Sequence, residues 1–211
     1  PGPGNVELVE VAKPTAGPGQ VLVEVVYAGI CGSDLHIEEG AIQLNLRPTV
    51  NMGHEFSGII AQIGDGFQGL DLGQPVVAET AFYTCGRCLA CNTGNDNVCA
   101  HKELIGYVHP GVFTEYVVLP AKRIHGLPAS VSLRSAVMCE PLACAVRGVC
   151  EQIRMTPGDV VVIAGPGAMG LLSLQLAKAA GATVIVTGVS EDHDRFRVAL
   201  RLGADRVVDV T

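Results

Sequence analysis

The fold class this sequence predicts is α/β with a β-rich part: a strand-dominated first domain followed by an incomplete, doubly wound parallel sheet. Three observations carry it. Short Val-rich runs punctuated by Gly, Pro and polar turns occupy the first 130 residues, the pattern of strands joined by tight connections. From residue 160 onward strand-length apolar runs alternate with helical segments, the signature of parallel strands with crossover helices. The texture shifts near residue 145, so the expected domains are 1–145 and 146–211.

QVLVEVVYAG (Gln20–Gly29) follows the turn Gly17-Pro18-Gly19 and reads as the first strand. EFSGIIAQIG, QPVVAETA and FTEYVVLPA are further strand-length runs bounded by Gly, Pro or polar residues. Ser132 is placed to cap a helix through LRSAVMCEPLACAVRGVCEQI, in which Pro141 starts a fresh segment or kinks the run. After Thr156–Asp159, VVVIA reads as a buried strand, AMGLLSLQLAKAA as a helix and TVIVT as a second strand. Ser190 has the chemistry of an N-cap for EDHDRFRVALRLG, Gly203 closes that helix, and ADRVVDV makes a third strand. A dinucleotide-binding sheet normally has two such halves, so the second domain is incomplete.

Bulk properties narrow the function classes. A net charge of −7 disfavours nucleic acid and anionic membranes, whose phosphates select basic surfaces. Residues 160–177 carry no charge, but Gly165-Pro166-Gly167 interrupts them, and a membrane span requires an unbroken apolar helix. PGPGNVELVEVAKP lacks a basic segment followed by an apolar block, so no secretory leader is read there. Eight cysteines without such a leader point to a reducing compartment, the cytoplasm, where clustered thiols hold metal more often than they form disulfides.

Cys85, Cys88, Cys91 and Cys99 follow C-x2-C-x2-C-x7-C. Four soft ligands on one short loop suit tetrahedral zinc, and Gly86 and Gly94 supply the turns that wrapping an ion demands. Such a site has no open position, so it is structural. A redox C-x-x-C pair and two disulfides are the rival readings; four thiols within residues 85–99 favour the cage.

A second set is more dispersed. Cys31, His54 and Glu140 offer one thiolate, one imidazole and one carboxylate, a three-ligand zinc site with its fourth position open. Each alone has a plainer explanation. Cys31 reads equally as a small buried apolar residue, His54 as a hydrogen-bonded loop residue, and Glu140 as an acid at a helix N-terminus. VVVIAGPGAMG places Gly165, Gly167 and Gly170 in G-x-G-x-x-G between strand and helix, with Met169 inside the motif. That context suits a pyrophosphate at a helix N-terminus.

Taken in order, GICGSDLH, GHEFSG, the four-thiol loop, EPLACA and GPGAMG make the chain resemble the zinc-containing medium-chain dehydrogenases, the superfamily of alcohol and polyol dehydrogenases. The resemblance covers essentially the whole sequence. It implies a GroES-like catalytic domain joined to a Rossmann domain, here incomplete. It also implies two zinc ions per chain, catalytic at Cys31, His54 and Glu140 and structural at Cys85, Cys88, Cys91 and Cys99. Glu55 matches a carboxylate beside the catalytic metal. Ser33 and His36 match the hydroxyl and imidazole that carry the substrate proton to water, His36 reading otherwise as an ordinary surface histidine.

Gly188 falls where NAD-preferring relatives carry Asp. Losing that acid relieves repulsion against a 2′-phosphate, which Ser190 and Arg195 are placed to bind, so the balance tips toward NADP over NAD. Glu191 and Asp192 remain able to reach a ribose hydroxyl. The expected activity is oxidation of a secondary alcohol, a polyol such as sorbitol or L-iditol, with L-threonine 3-dehydrogenase as the alternative in the same chemistry. Chains of this superfamily continue past this length and begin with an earlier strand. A zinc-binding, non-catalytic fragment is therefore the alternative of another class, and a homo-oligomer, tetramer or dimer, is expected of the full-length protein.

Overall fold

The computed structural model describes residues 4–42 and 51–211; Pro1–Pro3, where the stretch read for a leader begins, lie outside it. The chain divides into two compact units, Pro1–Glu140 and Pro141–Thr211.

In the first unit, strand β1 (Gln20–Gly29) leads through helix α1 (Gly32–Glu38) to β2 (Glu55–Ile63), β3 (Pro75–Ala78) and β4 (Ala81–Tyr83). Helix α2 (Leu89–Asn92), β5 (Glu103–Leu104), β6 (Tyr116–Pro120), β7 (Ile124–Gly126) and α3 (Leu133–Ala136) follow. Five of the strands form one antiparallel sheet in the order β6-β1-β2-β3-β7, while β4 and β5 pair separately. Val21, Val23, Phe56, Ile60, Val76, Val117 and Leu119 share its core. Fully burying a side chain such as Ile60 contributes about 1.5–3 kcal/mol.

Helix α4 (Cys139–Val146) crosses from the first unit to the second. Ser132 does cap a helix, accepting from the Ser135 N–H at 3.2 Å, but that helix is the single turn α3. A fresh helix begins at Cys139, with Pro141 in its first turn, where the missing N–H has no intrahelical partner to lose. The continuous helical run therefore resolves into two pieces, followed by a π-type turn at Arg147–Glu151.

The second unit runs β8 (Val160–Ala164), α5 (Ala168–Ala179), β9 (Thr183–Gly188), α6 (His193–Arg201) and β10 (Arg206–Asp209). Its three strands are parallel in the order β10-β9-β8, one half of a Rossmann sheet. Right-handed crossovers put both helices on one face, where Leu174, Ala177, Val184, Val186 and Ala199 pack. VVVIA reads as a buried strand, whereas among the described residues Val160 and Val162 of β8 are 65% and 62% exposed. No helix among the described residues is long and apolar enough to cross a membrane.

Candidate functional site

Cys31 is the residue preceding α1, and its N–H donates to the Asp34 carboxylate at 2.9 Å. That bond ties the helix start to the end of β1 and fixes the direction in which the thiol leaves the chain. His54 immediately precedes β2. Gly53 before it has φ +89°, and a side chain there would run into the Phe113 ring, so only glycine both turns the chain and lets it pass. Across the β1–β2 ladder Gly29 stands opposite Glu55. A Cβ at Gly29 would overlap the Glu55 carboxylate, so the glycine opens the space in which that buried acid sits.

The ligand atoms of Cys31, His54 and Glu55 converge to within 4.8 Å of one another. Sulfur, nitrogen and oxygen donors in so small a space suit zinc with an open position. Glu140, expected as the third ligand, is not among these three; its charge acts on His54. Asp34, 2% exposed, places Oδ1 3.5 Å from His54 Nδ1. Neither atom has a closer hydrogen-bond partner among the described residues. A carboxylate behind one ring nitrogen holds the other toward a metal. Burial alone would push the His54 imidazole down, but the Asp34 carboxylate overrides it and raises its pKa to about 9. A cation entering there displaces a proton, so its affinity falls as pH falls.

Ser33 and His36 both lie on α1. The Ser33 hydroxyl accepts a hydrogen bond from Tyr107 at 3.0 Å. His36 is at the surface, its Nδ1 3.4 Å from Glu39. The Tyr107 ring lies 5.5 Å from that of His54, tilted by 41°. Tyr107 was missed in the sequence because nothing in IGYVHPG announces a contact with residues more than fifty positions away. Asp34, three residues after Cys31 in GICGSDLH, is the residue that seats His54.

The four thiols form a second cluster. Cys88–Cys91, Cys85–Cys99, Cys88–Cys99 and Cys85–Cys91 sulfurs stand 3.5, 3.6, 3.8 and 3.9 Å apart. A tetrahedron with Zn–S bonds of about 2.3 Å has edges of about 3.8 Å, whereas a disulfide would require about 2 Å. The thiols are all free, and their spacing fits the ion. Backbone N–H groups of Arg87 and Cys88 pull the Cys85 thiol down to about 6, so one thiolate is ready near neutral pH. Buried Arg123 ties the lobe to the sheet, bonding Glu79 at 2.6 Å, Thr84 at 3.0 Å and Asp96.

In the second unit the three glycines have the backbone geometry a phosphate loop needs. Gly165 has φ +91°, supplying the turn after β8. Nothing lies within 4 Å of a Cβ built on Gly167, leaving the approach to its backbone clear. A Cβ on Gly170 would strike the Gly165 carbonyl, so the third glycine lets α5 pack against the loop. Met169 sits in the first turn of α5 and is partly exposed. Ser190 does not cap the following helix. Its hydroxyl donates to Asp209 at 2.6 Å, and Asp192 precedes α6 instead. Arg195 pairs with Asp192 at 3.0 Å.

The family described as the alcohol dehydrogenase GroES-like domain matches residues 17–129. The chain is 41% identical over 208 residues to a sorbitol dehydrogenase of Halalkalibacterium halodurans, covering 99% of this chain and 60% of that protein. It is 42% identical over 214 residues to an L-threonine 3-dehydrogenase of Pyrococcus horikoshii, covering 99% of this chain and 59% of the relative. Among solved structures, a candidate zinc-binding dehydrogenase from Sinorhizobium meliloti 1021, bound to NADP, superposes with a TM-score of 0.91 at 36% identity. That match covers 98% of this chain and 59% of the other. The chain thus spans about three-fifths of the length of these relatives.

Proposed function

We propose, from the premise that the chain belongs to the alcohol dehydrogenase GroES-like domain family, that the protein oxidises a secondary alcohol of the polyol class with zinc and a nicotinamide dinucleotide. The convergence of Cys31, His54 and Glu55 in front of buried Asp34 is the observation that carries this reading. Cys31 and His54 would hold the catalytic zinc, with Glu140 as third ligand and Glu55 as the neighbouring carboxylate. A bound zinc supplies the Lewis acidity that eases ionisation of an alcohol, and a bound nicotinamide accepts the hydride.

The chain's own residues do the rest. Asp34 holds the His54 ring in one orientation and compensates positive charge gathered beside it. Ser33 takes the proton the substrate hydroxyl gives up, and His36, exposed on the same helix, delivers it to water. Tyr107, donating to Ser33, keeps that hydroxyl in place. The four-thiol cage takes no part in the chemistry and holds its lobe in shape. Gly165, Gly167 and Gly170 admit the pyrophosphate, while Gly188, Ser190 and Arg195 border the adenosine ribose.

The similarity to L-threonine 3-dehydrogenases supports L-threonine as a second substrate reading. A zinc-binding, non-catalytic fragment is the reading from another class, supported by the partial span of the relatives; turnover by a chain of these 211 residues would reject it. The complete protein is proposed to act in the cytoplasm as a homo-oligomer. The test is nicotinamide reduction by the full-length, zinc-loaded protein, offered sorbitol, L-iditol or L-threonine. Faster turnover of a polyol is expected, and absence of turnover with every secondary alcohol would contradict the reading.

A further inference from the structure

Gly188 ends β9 without the acid that would select a plain ribose, and the structure shows what stands in that space. A Cβ built on Gly188 would lie 2.9 Å from Asp192 Oδ2, 2.9 Å from the Phe196 ring and 2.9 Å from Pro166 Cδ. Pro166 lies between the first two glycines of the phosphate loop. The place where a strand-end side chain would start is therefore bordered by the nucleotide loop on one side and a carboxylate on the other. That carboxylate is held there: Oδ2 accepts from the Val189 N–H at 3.2 Å and Oδ1 pairs with Arg195 at 3.0 Å. The Asp192 side chain is only 15% exposed. Each oxygen keeps a lone pair free to accept another donor.

We infer that Asp192, reaching back from the start of α6, supplies the acid missing at Gly188 and makes the proposed dinucleotide site select NAD(H) over NADP(H). The inference rests on the dinucleotide reading above and deepens it. A carboxylate beside the end of β9 accepts hydrogen bonds from a ribose 2′-hydroxyl and repels a 2′-phosphate. Both arginines near this turn already contact a carboxylate, in pairs that the exposure of their guanidinium groups keeps weak. Arg195 is paired with Asp192, and Arg197 with Asp194 at 2.8 Å. The Ser190 hydroxyl donates to Asp209, and Glu191 adds a further negative charge in the same turn. Ser190 and Arg195, the residues expected to grip a 2′-phosphate, each contact a carboxylate here. A phosphate beside Gly188 would meet the Asp192 charge, which turns the balance away from the NADP drawn from Gly188 alone. A side chain at position 188 would also collide with Asp192 and Phe196, so the glycine and the relocated acid belong together.

The test is equilibrium binding of NADH and NADPH to the full-length protein, read by nicotinamide fluorescence without substrate. Wild type is expected to bind NADH at least roughly tenfold more tightly than NADPH, as one charge-assisted hydrogen bond and one repulsion together allow. Asp192→Asn, which keeps the shape and the acceptor for Val189, is expected to weaken NADH and strengthen NADPH, moving the ratio by about tenfold or more. Asp192→Ser should move the ratio in the same direction. Tighter binding of NADPH by wild type, or a ratio unchanged in both variants, would overturn the inference. Failure of wild type to bind either dinucleotide would remove the underlying reading, and the inference with it.

Discussion

Asp34 carries no reactive atom in the proposed chemistry, yet the position of the proposed metal ligands depends on it. It bonds the Cys31 N–H and backs the His54 ring, so one side chain fixes two ligands arriving from different parts of the sequence. Asp34→Ala should weaken zinc binding at this site by about 10- to 100-fold, the usual effect of losing a partner behind a ligating histidine; metal competition with a chelator measures it. Tyr107→Phe keeps the ring beside His54 and removes only the donor to Ser33. Turnover is expected to fall by about fivefold to tenfold, the worth of one hydrogen bond, with zinc content unchanged. A double variant with Ser33→Ala should then lose no more than Ser33→Ala alone, because Tyr107 acts through that hydroxyl. What the sequence exposed at this scale was residue type and order: Cys31 and His54 were ambiguous singly, and the resemblance carried by GICGSDLH and GHEFSG pointed to them and to Glu55. Nothing pointed to Tyr107, since its contacts are made by the fold and not by spacing.

Loops and their anchors decide how firmly each proposed site is held. The thiol lobe hangs on Arg123, whose guanidinium joins Glu79, Thr84 and Asp96. Removing it strips the partly exposed Glu79 and Asp96 carboxylates and the buried Thr84 hydroxyl of their donor, a loss of about 1–3 kcal/mol. Arg123→Met should therefore lower the thermal midpoint while leaving dinucleotide binding untouched. In the second unit, Asp205 bonds Lys178 at 2.8 Å and the Val184 N–H at 2.6 Å, linking α5, β9 and the approach to β10. Lys178 first, and the backbone N–H with it, hold the Asp205 carboxyl below its ordinary 3.8. A folded pKa lower than the unfolded one stabilises above the unfolded value and ceases to do so as pH falls through the folded value. The stability gap between wild type and Asp205→Asn should accordingly be full above pH about 4 and close in more acidic solution; acid unfolding curves of the two proteins compare it directly. Element types were legible because Val-rich runs and helical periodicity are local signals. The break after Ala136 and the cap at Asp192 were not, because Pro141 and Ser190 each admit two local solutions and tertiary partners choose between them. Ser190 is drawn away by Asp209 and Thr211.

Across the whole chain, two units with different architectures are proposed to bring different chemistry, a metal centre in the antiparallel unit and a phosphate loop in the parallel one. Among the described residues β8 stands at an edge of the order β10-β9-β8, and VVVIA alternates between exposed and partly buried residues. Its apolarity announced a strand but not what covers it. The two thiol-bearing sites differ in kind. The cage uses four sulfurs at tetrahedral spacing and leaves no place for a substrate, whereas Cys31, His54 and Glu55 form a mixed donor set with room for one. Loss of a structural ligand should therefore cost stability, and loss of a ligand at the mixed site should cost turnover.

The most direct measurement is bound zinc, thermal midpoint and turnover of full-length Cys31→Ser set beside Cys99→Ser. One zinc lost with the fold retained and turnover abolished is predicted for Cys31→Ser, and one zinc lost with a clearly lower thermal midpoint for Cys99→Ser. Equal loss of fold in both variants, or full turnover in Cys31→Ser, would contradict the division into one open and one closed metal site.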